Sequence, residues 1–284
     1  MNQKSDTQPV ALITGASGGI GEAFAHELAR DGFHLVLVAR TDTELARVAR
    51  DLAPHSHTEP ECIGLDLSQP GAAGALSALL TERGVEPELL VNNAGFGLMG
   101  KTLALDVDEQ VAMINLNITA LTELSVIYGR QMAARGHGGI INVTSVAGSL
   151  PGPNMSVYYA SKAYILRFTE ALCTELKSSG VQVTAVAPGV TRTGFHKRAG
   201  MERSVLMKWS IPMSAEAVAR IGYQGFLRKK RVVTTGIFNK FAMLCSLLVP
   251  NMILLPVTAW LHTKVVGAQE MGQQPVAAER NSDE

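Results

Sequence analysis

The chain has 284 residues, 46% of them hydrophobic and 18% charged, and its 25 basic residues balance 25 acidic ones. So apolar a composition excludes a disordered chain, and zero net charge removes the overall field that draws in nucleic acid, so no nucleic-acid partner is expected. Cys62, Cys173 and Cys245 form no C-x-x-C pair, and the polar start Met1–Gln8 lacks the apolar centre of a secretory signal, so a reducing cytoplasm is the expected location.

Val10 to Thr14 reads as a buried strand, and a glycine-rich turn follows it. Ile20 to Arg30 then places Ile20, Phe24 and Leu28 on one helical stripe. His34 to Ala39 is again strand-like, and Asp42 is a candidate cap for a helix through about Asp51. A third strand is expected over Glu61 to Leu67, a third helix over Ala72 to Arg83, and a fourth strand over Glu88 to Asn92. One long helical stretch, about Val107 to Arg135, leads to a fifth strand, Gly139 to Thr144. After it come a helix over Val157 to Ser178, a sixth strand over Val181 to Ala187, a helix over Ser214 to Leu227 and a short seventh strand over Arg231 to Thr234. Strands alternating with helices at this spacing predict an α/β fold: a doubly wound, seven-stranded, mostly parallel sheet with helices on both faces.

Two stretches break that rhythm. Val190 to Pro212 carries Gly194, Gly200 and Pro212 and is too long for a passive connection, so a substrate lid is expected there. Phe241 to Leu261 has no charged residue and is long enough to span a bilayer, but Pro250, Asn251 and Pro256 argue against one simple spanning helix. Three readings of this segment stand open: a cover for the substrate pocket and a subunit interface, an element lying on a membrane surface, or a true span. No internal repeat or linker divides the chain. The expected organisation is a nucleotide-binding and catalytic domain over 8–236, an apolar C-terminal extension of that domain over 237–266 and a disordered polar tail over 267–284. Assembly as a homodimer or homotetramer is expected.

Three motifs carry chemistry. Thr14-Gly15-Ala16-Ser17-Gly18-Gly19-Ile20-Gly21 lies between the first strand and the first helix. Its glycines permit a tight turn and let backbone approach a pyrophosphate at a helix N-terminus. Asn92-Asn93-Ala94-Gly95 follows the fourth strand, and Tyr158 stands four residues before Lys162 in a helical pattern. Together, and in this order, they resemble the short-chain dehydrogenase/reductase family from Thr14 to roughly Thr235; the C-terminal segment falls outside the resemblance. The resemblance implies a Rossmann-like sheet, a nicotinamide cofactor and hydride exchange with a carbonyl or alcohol carbon.

By the same resemblance, Gly15, Ser17, Gly19, Ile20 and Gly21 form the cofactor turn, and Asp66 meets the adenine ring. Asn93, Ala94 and Gly95 back the cofactor, while Pro188, Gly189 and Thr193 form the turn beside the nicotinamide carboxamide. At the end of the second strand, NAD usually requires Asp or Glu for the ribose hydroxyls. This chain has Ala39 and then Arg40, whose guanidinium suits a 2′-phosphate, so NADP(H) is favoured over NAD(H).

Tyr158 and Lys162 share one helix face. A neighbouring ammonium, with the positive charge of an oxidised nicotinamide, favours phenolate over phenol, which lowers the tyrosine pKa and makes Tyr158 the expected proton carrier. Tyr159 is its rival, three residues before the lysine instead of four. Lys162 is further implied to hold the nicotinamide ribose. Ser145, at the end of the fifth strand, is placed to hydrogen-bond the substrate oxygen, with Thr144 as the alternative. The family's structural asparagine, which anchors a proton-relaying water, corresponds to Asn117, with Asn115 the weaker choice. His55-x-His57 lacks a third ligand nearby, so no metal is expected, and no G-x-S-x-G elbow supports a serine hydrolase. The expected function is an NADP(H)-dependent oxidoreductase acting on a small apolar carbonyl or alcohol. A 3-oxoacyl-carrier reductase and a non-catalytic NADP(H)-binding redox sensor are the alternatives.

Overall fold

The computed structural model describes residues 8–56 and 58–263; the tail expected over 267–284, the last residues of the expected extension and His57 lie outside them. Strand β1 (Val10–Thr14) is paired on one side with β2 (His34–Ala39) and through it with β3 (Glu61–Gly64). On its other side lie β4 (Leu89–Asn92), β5 (Gly138–Val143), β6 (Val181–Ala187) and β9 (Val232–Thr234). The sheet order is β3-β2-β1-β4-β5-β6-β9, and every pairing is parallel. Reversal of the strand order beside β1 opens a crevice at the C-terminal edge, where ligands of such sheets bind.

Helices cover both faces, which is why the strands read as nearly continuous apolar runs. Side chains alternate across β1: Ala11 and Ile13 join the core beneath α1 (Gly19–Arg30), α2 (Asp42–Leu52) and α9 (Ala215–Leu227). Leu12 points into the opposite core with Leu76 of α3 (Ala72–Glu82) and Leu124 and Tyr128 of α5 (Leu121–Arg135). The helix preceding α5 is α4 (Val107–Ile114), and α6 (Ser156–Glu175) carries the tyrosine–lysine pair.

Several boundaries differ from the sequence expectation. Thr41, not Asp42, is the residue before α2, and neither caps it with a side chain. Strand β3 stops at Gly64: Leu65 still donates to the Ala39 carbonyl, but Asp66 turns its carboxylate onto Ser68 and leaves the ladder. The stretch 107–135 is interrupted by a π-helical segment, Asn115–Ala120, between α4 and α5. By length and composition this run is apolar enough to cross a membrane. Here it packs on the sheet, with Ser125, Tyr128 and Met132 buried.

The lid stretch has structure of its own. It holds a short strand β7 (Thr191–Arg192), paired with β8 (Met213–Ser214), and two short helices, α7 (Phe195–Arg198) and α8 (Val205–Trp209). The apolar extension forms α10 (Ile237–Leu248) and α11 (Asn251–Leu261). Between them the chain breaks at Val249 and Pro250, where proline's fixed φ and missing N–H end the first helix. Pro256 lies inside α11 without ending it.

Candidate active site

The glycine turn is built for close approach. Gly15 and Gly19 take φ of +65° and +58°, a region open to glycine at little cost. A Cβ on Gly15 would stand 2.8 Å from the Ala94 Cα, and one on Gly21 would stand 2.5 Å from Asn93 Nδ2. Thr14 locks the turn to the Asn93 loop: its hydroxyl accepts from the Asn93 and Ala94 amides at 3.0 and 3.1 Å. Asn93 Nδ2 in turn donates to the Thr14 and Gly15 carbonyls, both at 3.1 Å. No side chain caps the N-terminus of α1, so its first amides face the crevice as an anion site. Helix end, glycine cradle and crevice together fit the pyrophosphate of a dinucleotide.

At the adenosine end, Arg40 is exposed beyond β2 with Ala39 before it and no acidic residue in that place. Burial works to raise the Asp66 pKa, but hydrogen bonds from Ser68 and Gln69, with the Arg40 charge, carry it below its ordinary value. Arg47 reaches the Ser17 carbonyl at 3.4 Å, yet its charge is already neutralised by Glu22, Glu44 and Asp51 at 2.9–3.1 Å. Arg198 lies near enough to feel the charges of both Arg40 and Asp66, so this end of the crevice holds more than one guanidinium. Thr193 lies against Gly19, bringing the lid down onto the glycine turn.

On the opposite wall of the crevice, Tyr158 is buried, its ring 5.8 Å from Lys162 Nζ. Lys162 donates to the Val143 carbonyl at 3.1 Å, and burial lowers its pKa to about 8. Ser145 sits at the end of β5, its hydroxyl 3.3 Å from the Pro188 carbonyl and accepting from the Ala147 amide at 3.1 Å. The expected depression of the Tyr158 pKa is not found in the protein alone. Burial pushes the phenol up to about 12, and a hydrogen bond with Ser145 only partly offsets this. Removal of the phenol from water is the dominant effect, and it disfavours the charged phenolate.

The rivals are otherwise engaged. Thr144 is buried and donates to the Lys162 carbonyl at 2.8 Å. Tyr159 bonds through its hydroxyl to Nε2 of His262 at 2.8 Å, while His262 Nδ1 lies 2.9 Å from the Pro153 carbonyl. A carbonyl only accepts, so Nδ1 carries the proton, Nε2 accepts, and Tyr159 donates. Burial, opposed by the Pro153 bond, lowers the His262 pKa and keeps this neutral form. Asn117, fully buried in the π segment, accepts from the Phe96 amide at 3.1 Å and donates to the Phe96 carbonyl at 3.0 Å and Ser161 Oγ at 3.1 Å. Asn115 is only half-buried. Pro188 and Gly189 close the crevice, and the Asn239 side chain fills the space above Gly189.

No local pattern in the sequence points to Phe195, Asn239 or His262, which tertiary contacts alone bring to the site. Phe195 packs 5.3 Å from the Tyr158 ring, and Met99 donates to the Ala199 carbonyl at 2.9 Å, so the lid lies over the wall. Around it Phe96, Met99, Met113, Met155 and Met201 form a buried or half-buried apolar cluster with Tyr158. Among the described residues no group of three His, Cys, Asp or Glu side chains could hold a metal ion.

The sequence profile of short chain dehydrogenases matches residues 9–203. This protein belongs to the short-chain dehydrogenase family. A very-long-chain 3-oxoacyl-CoA reductase of Danio rerio is 33% identical over 191 residues, 66% of this chain and 59% of the relative, so the match spans under two thirds of that protein. Among solved structures, a short-chain dehydrogenase from Sphingobium yanoikuyae in complex with NADPH superposes with a TM-score of 0.75 at 33% identity, covering 84% of this chain and 93% of its own. The bulky-bulky ketone specific alcohol dehydrogenase from Comamonas testosteroni gives 0.71 at 30% identity, covering 84% and 93%. The family match holds the glycine turn, Asn93, Asn117, Ser145, Tyr158 and Lys162, and it stops before α10 and α11.

Proposed function

We propose that this protein is an NADP(H)-dependent oxidoreductase that exchanges a hydride with the carbonyl or secondary alcohol carbon of a bulky apolar substrate. The carrying observation is the catalytic wall: Ser145, Tyr158 and Lys162 stand together, while Tyr159 is tied to His262 and Thr144 to backbone. Gly15, Ser17, Gly19, Ile20 and Gly21 would hold the pyrophosphate, with Asn93, Ala94 and Gly95 behind it, Arg40 and Asp66 at the adenosine end, and Pro188, Gly189 and Thr193 at the nicotinamide. When bound, that cofactor supplies or accepts the hydride.

The chain's own residues do the rest. Ser145 orients the substrate oxygen, and Tyr158 gives it a proton in reduction or removes one in oxidation. Lys162 holds the ribose and biases Tyr158 towards phenolate once a second positive charge adjoins it. Asn117 fixes the Phe96 backbone beneath the site and positions the proton path behind the lysine. The methionines around Tyr158 supply an adaptable apolar wall, suited to large and varied carbonyl substrates. The Sphingobium structure in complex with NADPH and the bulky-ketone enzyme support this reading.

A 3-oxoacyl thioester substrate is the second reading, favoured by the similarity to a 3-oxoacyl-CoA reductase. A redox sensor without turnover fits less well, since binding alone does not require the serine and tyrosine hydroxyls. A carbonyl panel of aldehydes, ketones, steroids and acyl thioesters, followed by NADPH absorbance, tests the proposal. Turnover of bulky ketones that stops in Tyr158→Phe supports it. NADPH binding without turnover of any carbonyl would overturn it in favour of the sensor.

A further inference from the structure

The C-terminal helices α10 and α11 lie outside the family match, and their inward and outward sides differ sharply. One face is tied to the site: Asn239 covers Gly189, Thr258 is buried, and His262 bonds Tyr159 and Pro153. The other turns large apolar side chains to the outside. Phe238, Phe241 and Leu248 on α10 are 78%, 67% and 75% exposed, and Met252 on α11 is 80% exposed. Trp209 and Trp260, the chain's only tryptophans, are 73% and 52% exposed, with ring centroids 6.3 Å apart where α8 meets α11. Soluble surfaces rarely leave so large an apolar patch uncovered.

Charge selects the occupant. Arg228, Lys229, Lys230, Arg231 and Lys240 are all exposed, and residues 227–263 contain no Asp or Glu, although the whole chain is neutral. A second copy docking isologously on this face would bring its like charges together. An anionic bilayer instead meets apolar side chains with its acyl boundary and basic ones with its headgroups, and tryptophan is enriched at that boundary.

We propose that α10 and α11 dock on an anionic lipid surface and lie in its plane. Twelve- and eleven-residue helices are about 18 and 16 Å long, well short of the roughly 30 Å hydrocarbon core. α10 stays packed on residues 146–149 and α11 on α8, so the two helices rest on the membrane without crossing it. Docking holds the Tyr158 wall beside the bilayer, where apolar carbonyl compounds concentrate.

The two tryptophans make the test direct. Full-length protein is mixed with phosphatidylcholine vesicles, with or without phosphatidylserine, and binding is read by cosedimentation and by tryptophan emission. Expected are a blue shift and cosedimentation with the serine-lipid vesicles, each weakened at least several-fold by added salt or by their omission. Phe241→Glu with Met252→Glu should abolish both signals and leave NADPH turnover of a water-soluble aldehyde unchanged. Lys230→Glu with Lys240→Glu should remove the dependence on phosphatidylserine. Absence of wild-type binding to anionic vesicles would overturn the proposal, as would binding that survives Phe241→Glu with Met252→Glu. If the apolar-face variant instead splits a larger assembly by light scattering and the wild type ignores vesicles, the face is an interface between copies and the lipid reading fails.

Discussion

Two adjacent tyrosines illustrate how environment divides similar side chains. On the proposed mechanism Tyr158→Phe removes the proton carrier and should abolish turnover while leaving NADPH affinity within a few fold. Tyr159→Phe deletes only the bond to His262, so most activity should remain, with a stability loss of about 1 kcal/mol by denaturation. The reverse outcome would move the catalytic register by one residue. Lys162 is held charged at a cost. Burial lowers its pKa to about 8, from 10.5, so at pH 7 the folded protein bears a penalty the unfolded chain does not. The unfolded state binds more protons between those values, so this penalty disappears as pH rises from about 8 towards 10.5. Lys162→Met should therefore inactivate the protein yet raise its denaturation midpoint at pH 7, the gain shrinking above pH 8. A lower midpoint at pH 7 would show that the Val143 bond outweighs desolvation. At the other end of the crevice, Arg40→Ala should weaken NADPH binding by roughly 1.5–3 kcal/mol, as for a hydrogen bond to a charged group, and spare NADH. Equal losses for both cofactors, by titration, would mean that Arg40 does not read the phosphate.

Among the elements, the π segment Asn115–Ala120 has the clearest local consequence. Asn117 satisfies both the N–H and the C=O of buried Phe96, so Asn117→Ala leaves two backbone groups unpaired and should cost about 2–4 kcal/mol as well as turnover. Asn115→Ala should change the denaturation midpoint little. The sequence shows two asparagines in an apolar run, of which the family resemblance favours Asn117, and it is Asn117 that is buried within the π segment. Strands β1 to β6 and α1 were legible because their burial is dictated by continuous apolar runs or a clean helical stripe. In the lid, α7 and α8 have four and five residues, too few for a period to show, and tertiary bonds such as Met99 to Ala199 hold them. The family resemblance pointed to Tyr158, Lys162 and Ser145; the raised Tyr158 pKa has no sequence signal, because it depends on how deeply the phenol is buried. Phe195→Ala should lower KM for the bulkiest ketones by removing the ring that packs on Tyr158. An unchanged KM series across ketone sizes would separate the lid from substrate selection.

In the whole molecule, a family core is joined to an extension that touches it at Gly189, Pro153, Tyr159 and Thr234 and packs α11 against α8. A chain ending at Asn239 keeps the glycine turn and Arg40, so NADPH affinity should be retained. Without the His262 bond and the α11 contact with α8, affinity for large apolar substrates should fall. Loss of NADPH binding in that truncation would mean that α10 and α11 hold the nucleotide crevice itself. The same tie imposes a timetable on biosynthesis. Tyr159 and His262 are 103 residues apart, and translation adds about 5–20 residues per second. Roughly 5–20 s therefore pass between the catalytic helix leaving the ribosome and the arrival of the histidine that secures its neighbour. During that interval the lid residues Phe195 and Met201 can already close over Tyr158, but the Tyr159 hydroxyl has no partner, so this buried bond is among the last that a nascent chain can form.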